Sequence, residues 1–131
     1  MLYLDASALV KRYVEEEGSE AVRAAMRAEE WASCRICIVE TKRAVGRADG
    51  DDEIERVESD WRAFDVIEVD AALCERAAEL ARSTGLRTLD ALHLAAALAL
   101  PGDGLTLATW DARLHRAARE RGLATLPATL D

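Results

Sequence analysis

Leu2-Tyr3-Leu4-Asp5-Ala6-Ser7-Ala8-Leu9-Val10 opens the chain with three apolar residues, one acid and then a helix-forming run. The apolar triplet predicts a short strand ending at Asp5, and the run from Ala6 to Val14 predicts a helix. The same order recurs down the chain. Trp31-Ala32-Ser33 reads as a second strand, followed by a helix from Ile36 to Ala48 that Asp49-Gly50 breaks. Val66 to Val69 reads as a third strand, after which Asp70 caps a helix to Ser83 and Gly85 stops it. Leu105 to Thr109 is a fourth strand, Ala112 to Arg121 a helix stopped by Gly122, and Leu123 to Leu126 a fifth strand. Two more helices, Glu20 to Glu29 and Asp52 to Ala63, fill the remaining gaps, the latter with Ile54, Val57 and Trp61 in register. Strands alternating with helices predict a parallel sheet covered on both faces. The expected fold is therefore a three-layer α/β/α domain over residues 1–131, around a central parallel sheet of four to five strands.

Leu89 to Leu100 is unlike the other helical stretches, because Asp90 and His93 are its only polar members. A helix that is apolar all round is a buried one. Thr88 is placed to cap it, His93 reads as a core histidine, and Pro101-Gly102 ends it.

With 131 residues, half of them hydrophobic, the chain is expected to bury roughly two-thirds of its unfolded surface in one core. No stretch approaches the roughly 20 apolar residues of a membrane span, and no basic, apolar leader opens the sequence, so a cytoplasmic address is expected. Cys34, Cys37 and Cys74 are an odd number without a disulfide context, and they read as buried, inert small hydrophobes rather than as a zinc or redox site. The net charge of −8 opposes binding to a polyanion. Seven acids from Asp49 to Asp60 against Arg56 alone account for −6 of it, and Glu15-Glu16-Glu17 form a second acidic run, so the bases lie elsewhere. Overall charge leaves the partner open.

Ligands of open parallel sheets bind beyond the carboxyl ends of the strands. Asp5 follows the first strand directly, and Asp111 lies two residues past the fourth. Each is equally suited to be a helix N-cap, and at this level both readings stand. Glu40 has Ile36, Cys37 and Ala44 around it at helical spacing, so it faces an apolar stripe; an ion pair with Arg43 is its alternative. Asp90 sits in the first turn of the buried helix, where the helix dipole offsets only part of the cost of a buried carboxylate. Carboxylates gathered at one end of a domain call for a hard cation, which takes oxygen ligands and can drive phosphodiester hydrolysis. The sequence carries no Gly-rich phosphate loop and no nucleophile–base order.

Four segments together carry a family resemblance: Leu4-Asp5-Ala6-Ser7-Ala8-Leu9-Val10-Lys11; Glu40; Leu89-Asp90-Ala91-Leu92-His93-Leu94-Ala95; and Leu105-Thr106-Leu107-Ala108-Thr109-Trp110-Asp111-Ala112-Arg113-Leu114. In that order and spacing the chain resembles a PIN-domain nuclease, most closely the VapC toxins of toxin–antitoxin pairs. The resemblance implies a PIN-like fold, with Asp5, Glu40, Asp90 and Asp111 as catalytic acids and metal ligands. It also implies Ser7 and Thr109 as supporting hydroxyls. It implies magnesium, or manganese, as cofactor, RNA as substrate, a homodimer, and a cognate antitoxin that blocks the site. Alternatives within the resemblance are a housekeeping RNA-processing nuclease and a non-catalytic RNA-binding domain. A phospho-receiver would want a second acid beside Asp5, where Ala6 stands, and a dehalogenase-type phosphatase would want one where Ser7 stands.

Bases accompany the acids: Lys11 and Arg12 after Asp5, Lys42, Arg43 and Arg47 after Glu40, Arg87 before Asp90, and Arg113 and Arg116 after Asp111. Lys11, Arg43, Arg47 and Arg113 are the expected contacts to the RNA backbone.

Overall fold

In the computed structural model, which describes residues 1–48 and 50–131, β1 (Leu2–Leu4) is the middle strand of a five-stranded sheet. Asp49, the first acid of the charged run, lies outside the described residues. The other strands are β2 (Trp31–Cys34), β3 (Asp65–Ile67), β4 (Thr106–Ala108) and β5 (Ala124–Leu126), in the order β3-β2-β1-β4-β5. Every pairing is parallel. The chain builds outward from β1 to one edge, then returns to build outward on the other side. β1 and β4 are thus the neighbours between which the winding reverses, and a crevice opens beyond their carboxyl ends. Leu4 pairs with Ala108, which sets Asp5 level with Thr109.

Alternation along β1 divides the core in two. Tyr3 faces a cluster that includes Leu73, Leu94, Leu107 and Leu114, from α5 (Ala71–Thr84), α6 (Thr88–Leu98), β4 and α7 (Ala112–Glu120). Leu2 and Leu4 face the other way, onto Leu9, Val22, Val45 and Val57. Those residues come from α1 (Ala6–Leu9), α2 (Ser19–Ala28), α3 (Ile36–Ala48) and α4 (Asp51–Trp61). This is the expected three-layer α/β/α arrangement with a parallel sheet, and the strand count is the upper of the two foreseen. Among the described residues no helix is long and apolar enough to cross a membrane.

Local rules account for most boundaries. Asp5, Asp70 and Asp111 each cap a helix by accepting from the amide three residues on, at 2.9, 2.8 and 3.0 Å. Gly85 closes α5 with a left-handed φ of 76°. Three expectations need correction. The helix read from Ala6 to Val14 ends at Leu9 and tightens into a 3₁₀ turn over Val10–Arg12. Arg12 and Tyr13 both reach the Asp60 carboxylate on α4, at 2.9 and 2.7 Å, and these tertiary bonds hold the chain off the helical path. The N-cap of α6 is Arg87, with no side-chain cap bond, and Thr88 is already helical. Cys34 and Cys37 are buried as foreseen, with burial pushing the Cys37 thiol up to about 12, but Cys74 is exposed.

Gly18, which precedes α2, shows where the acidic Glu15–Glu17 turn meets the crevice loop. Its φ is 92°, and a Cβ there would stand 2.6 Å from Cζ2 of Trp110. Gly18→Ala meets both backbone strain and a rigid indole. It is expected to lower stability by about 1–3 kcal/mol in urea or thermal unfolding.

Candidate active site

Asp5 is the most constrained group at the crevice, with only 4% of its surface exposed. Its Oδ1 accepts from the Ala8 amide at 2.9 Å and the Ser7 hydroxyl at 2.7 Å, and its Oδ2 accepts from Thr109 Oγ1 at 2.5 Å. Each hydroxyl has one proton, which goes to Asp5, and its lone pairs take amides of the β4–α7 turn. Ser7 Oγ accepts from Trp110 N at 2.9 Å, and Thr109 Oγ1 from Asp111 N at 3.1 Å. The β1–α1 and β4–α7 turns are stitched together through one carboxylate. Of the roughly four lone-pair positions a carboxylate offers, three are used, leaving one on Oδ2 for an outside ligand.

Burial raises the Asp5 pKa above its ordinary value, opposed by His93 and by the Thr109, Ser7 and Ala8 hydrogen bonds. Asp90, half-buried in the first turn of α6, is pushed up to about 6 by burial, then by the charges of Asp111 and Asp5, with His93 pulling the other way. Glu40 adds to the same upward push. The four acids thus share one electrostatic neighbourhood, although they come from β1, α3, α6 and the turn before α7. A cleft of about 360 Å³ opens there, lined by Arg87, Asp90, Asp111, Ala112 and Arg113.

Among the described residues no three Asp, Glu, His or Cys side chains close into a ready cage for a metal. The acids are near enough to repel one another but are not packed to mutual ligand distance. Magnesium needs no such cage, since it uses one or two carboxylates and completes its shell with water and substrate oxygens. The donor set fits a hard cation on two counts. All four groups offer oxygen, and the congestion that raises Asp90 is a penalty that a positive charge would remove.

Glu40 leans inward, as its apolar stripe predicts. It accepts from His93 Nε2 at 2.8 Å rather than pairing with Arg43. His93 is buried as foreseen, at 1% exposure, but it is more than core filling: Nδ1 meets Tyr3 Oη at 2.8 Å. The available signal was its position, a polar residue on a helix with no wet face, where a partner is obligatory.

Among the expected RNA contacts, Lys11 is corrected. Its side chain is buried at 7% exposure, its ammonium donates to Glu16 Oε1 at 3.0 Å and to the Glu17 carbonyl at 2.7 Å, and it lies 4.9 Å from the Trp110 ring. The acidic Glu15–Glu17 run supplies those partners. Arg12 is held by Asp60 and Lys42 by Glu58. Arg43 and Arg47 are exposed on α3 at helical spacing from Glu40, and Arg113 is exposed on the wall of the acid cleft.

The PIN domain family pattern fits residues 2–120. Ribonuclease VapC45 of Mycobacterium tuberculosis is 37% identical to this chain, with 100% of the chain and 98% of the relative covered. Among solved structures, Mycobacterium tuberculosis VapC20, described as a sarcin–ricin-loop-cleaving toxin, superposes with a TM-score of 0.74 at 16% identity, covering 89% of this chain and 95% of that one. A toxin–antitoxin complex from Klebsiella pneumoniae gives 0.68 at 19% identity, covering 85% and 87%. At these identities the structural likeness is one of fold.

The raised carboxyl pKa values make stability fall with pH. A group whose pKa is higher in the folded protein binds its proton more tightly there, so its contribution is lost as pH rises from the ordinary carboxylate range through about 6. In metal-free protein, Asp90→Asn should raise the unfolding free energy near neutral pH by about 1 kcal/mol, a figure discounted for its half-exposure. Near pH 4 the same variant should match the parent, and urea titrations at both values check this.

Proposed function

The chain belongs to the PIN-domain family, and on that premise we propose that it is a magnesium-dependent endoribonuclease, the toxin of a toxin–antitoxin pair. The observation that carries the reading is the electrostatic congestion of Asp5, Asp90, Asp111 and Glu40 at the crevice where the sheet reverses direction. The ribonuclease name of the full-length relative supports RNA as the substrate class. The Klebsiella toxin–antitoxin complex supports an antitoxin partner.

In this reading residues 1–131 form one catalytic unit, and Asp5, Asp90, Asp111 and Glu40 hold the cation. Magnesium, or manganese in its place, supplies Lewis-acid polarisation of a phosphoryl oxygen and a more acidic attacking water when bound. Ser7 and Thr109 favour the ionised form of Asp5 and aim it, since each donates its only hydroxyl proton to that carboxylate. Burial of Asp5 at the crevice floor keeps bulk water from screening its charge. Arg43, Arg47 and Arg113 would meet RNA phosphates and position the strand without reading its sequence. A homodimer and a cognate antitoxin complete the assembly.

The purified full chain should cleave RNA with added magnesium or manganese and stop on addition of EDTA. Asp5→Asn and Asp90→Asn should each lower the rate by about 100-fold or more, given the share of such reactions carried by metal chemistry. Neutralising Arg43 and Arg47 together should weaken RNA binding and reduce its log–log salt slope by about 2. Cleavage that survives EDTA or Asp5→Asn would overturn the metal site. Growth arrest on expression, relieved by co-expressing the neighbouring reading frame, distinguishes a toxin from a processing enzyme.

A further inference from the structure

We propose that His93 is the positioning residue for Glu40, holding its carboxylate at the cation site from the opposite helical layer. Tyr3 in turn holds the imidazole. This rests on the reading of Glu40 as one of the site acids, and deepens it.

Glu40 lies on α3, whose buried residues pack with the Leu2 and Leu4 face of the sheet, whereas His93 lies on α6, which packs with the Tyr3 face. Their 2.8 Å contact therefore joins the two helical layers. Glu40 is partly exposed, and a free glutamate side chain in that position would sample several rotamers. The imidazole removes that freedom.

The direction of the bond follows from proton inventory. An ionised carboxylate can only accept, so Nε2 of His93 must carry the proton it donates to Glu40. Nδ1 faces the Tyr3 hydroxyl at 2.8 Å, and a phenol carries a proton that it can donate. With Nδ1 accepting from Tyr3, the tautomer with hydrogen on Nε2 is selected and the ring plane is set. The Tyr3 and His93 rings also meet edge to face, with centroids 5.8 Å apart. Chains of this kind, in which one group orients a metal-ligating carboxylate or imidazole, affect metal affinity by about 10–100-fold. Tyr3 is a strand residue with no exposed surface, so the chain is anchored in the middle strand of the sheet.

The test compares two amides at position 93. Gln places a side-chain N–H near the place of Nε2 and can still donate to Glu40. Asn places its amide near Nδ1, within reach of Tyr3 but short of Glu40. Calorimetric titration of the full chain with manganese is the readout, alongside RNA cleavage at saturating manganese. His93→Gln is expected to bind manganese within about 3-fold of the parent, and His93→Asn to bind it at least about 10-fold more weakly. In the Glu40→Gln background, His93→Asn should have no further effect, because the group it positions is already gone. Equal losses in the Gln and Asn variants, or a full additional loss in the Glu40→Gln background, would assign His93 a merely structural role and overturn the inference. If Glu40→Gln alone leaves manganese binding and cleavage unchanged, it is the reading of Glu40 as a site acid that fails. Should His93→Asn not fold, Tyr3→Phe replaces it. That variant is expected to weaken manganese binding by about 3-fold or more, and no change would overturn the proposed role of Tyr3.

Discussion

One buried carboxylate organises the crevice. Asp5 ends the central strand, caps the first helix through the Ala8 amide, and takes the hydroxyl protons of Ser7 and Thr109. Those two hydroxyls then accept the Trp110 and Asp111 amides, so the turn after β4 is shaped around the same charge. Three satisfied lone-pair positions make the burial tolerable, and the raised pKa is the residual cost. The geometry that would present Asp5 to a cation is thus the geometry that holds two strand-end turns together. Capping and site formation are one arrangement here rather than rival explanations.

The charge distribution is equally economical. A protein of net charge −8 that is proposed to act on a polyanion must keep its acids away from the substrate path or engage them internally. Glu16 is engaged by Lys11, Asp60 by Arg12 and Tyr13, Glu58 by Lys42 and Glu68 by Arg35. Asp111, Asp5 and Glu40, by contrast, crowd Asp90 with like charge. Arg87 and Arg113 share their cleft, which sets positive charge at the edge of a negative floor. That pattern suits a site meant to take a cation and a phosphate together, since each would screen the repulsion felt by the other.

Much of the fold was legible because its signals are local. Apolar triplets followed by helix formers locate strands, and Asp70, Asp111 and Gly85 mark helix ends, since caps depend on amides three or four residues away. The largely apolar α6 announced its own burial. The helix from Ala6 fell short because Asp60, nearly fifty positions later, competes for Arg12 and Tyr13. Lys11 was misjudged, and the pairing of Glu40 with Arg43 offered as an alternative did not form, for one reason. A base beside an acid in sequence is free to do either of two things, pair at home or face the solvent, and only distant chain decides which.

By itself the sequence determined the alternation of strands and helices, the placing of Asp5 and Asp111 at strand ends, and the anomaly of two polar residues on a buried helix. Those features follow from backbone periodicity and short-range hydrogen bonding, which the residues carry with them. The tertiary structure alone decided that Glu40 would meet His93 across 53 positions, and that His93 would meet Tyr3 across 90. No local rule reaches that far. Such bonds exist only because a parallel sheet wound from its middle strand brings both helical layers to the same edge.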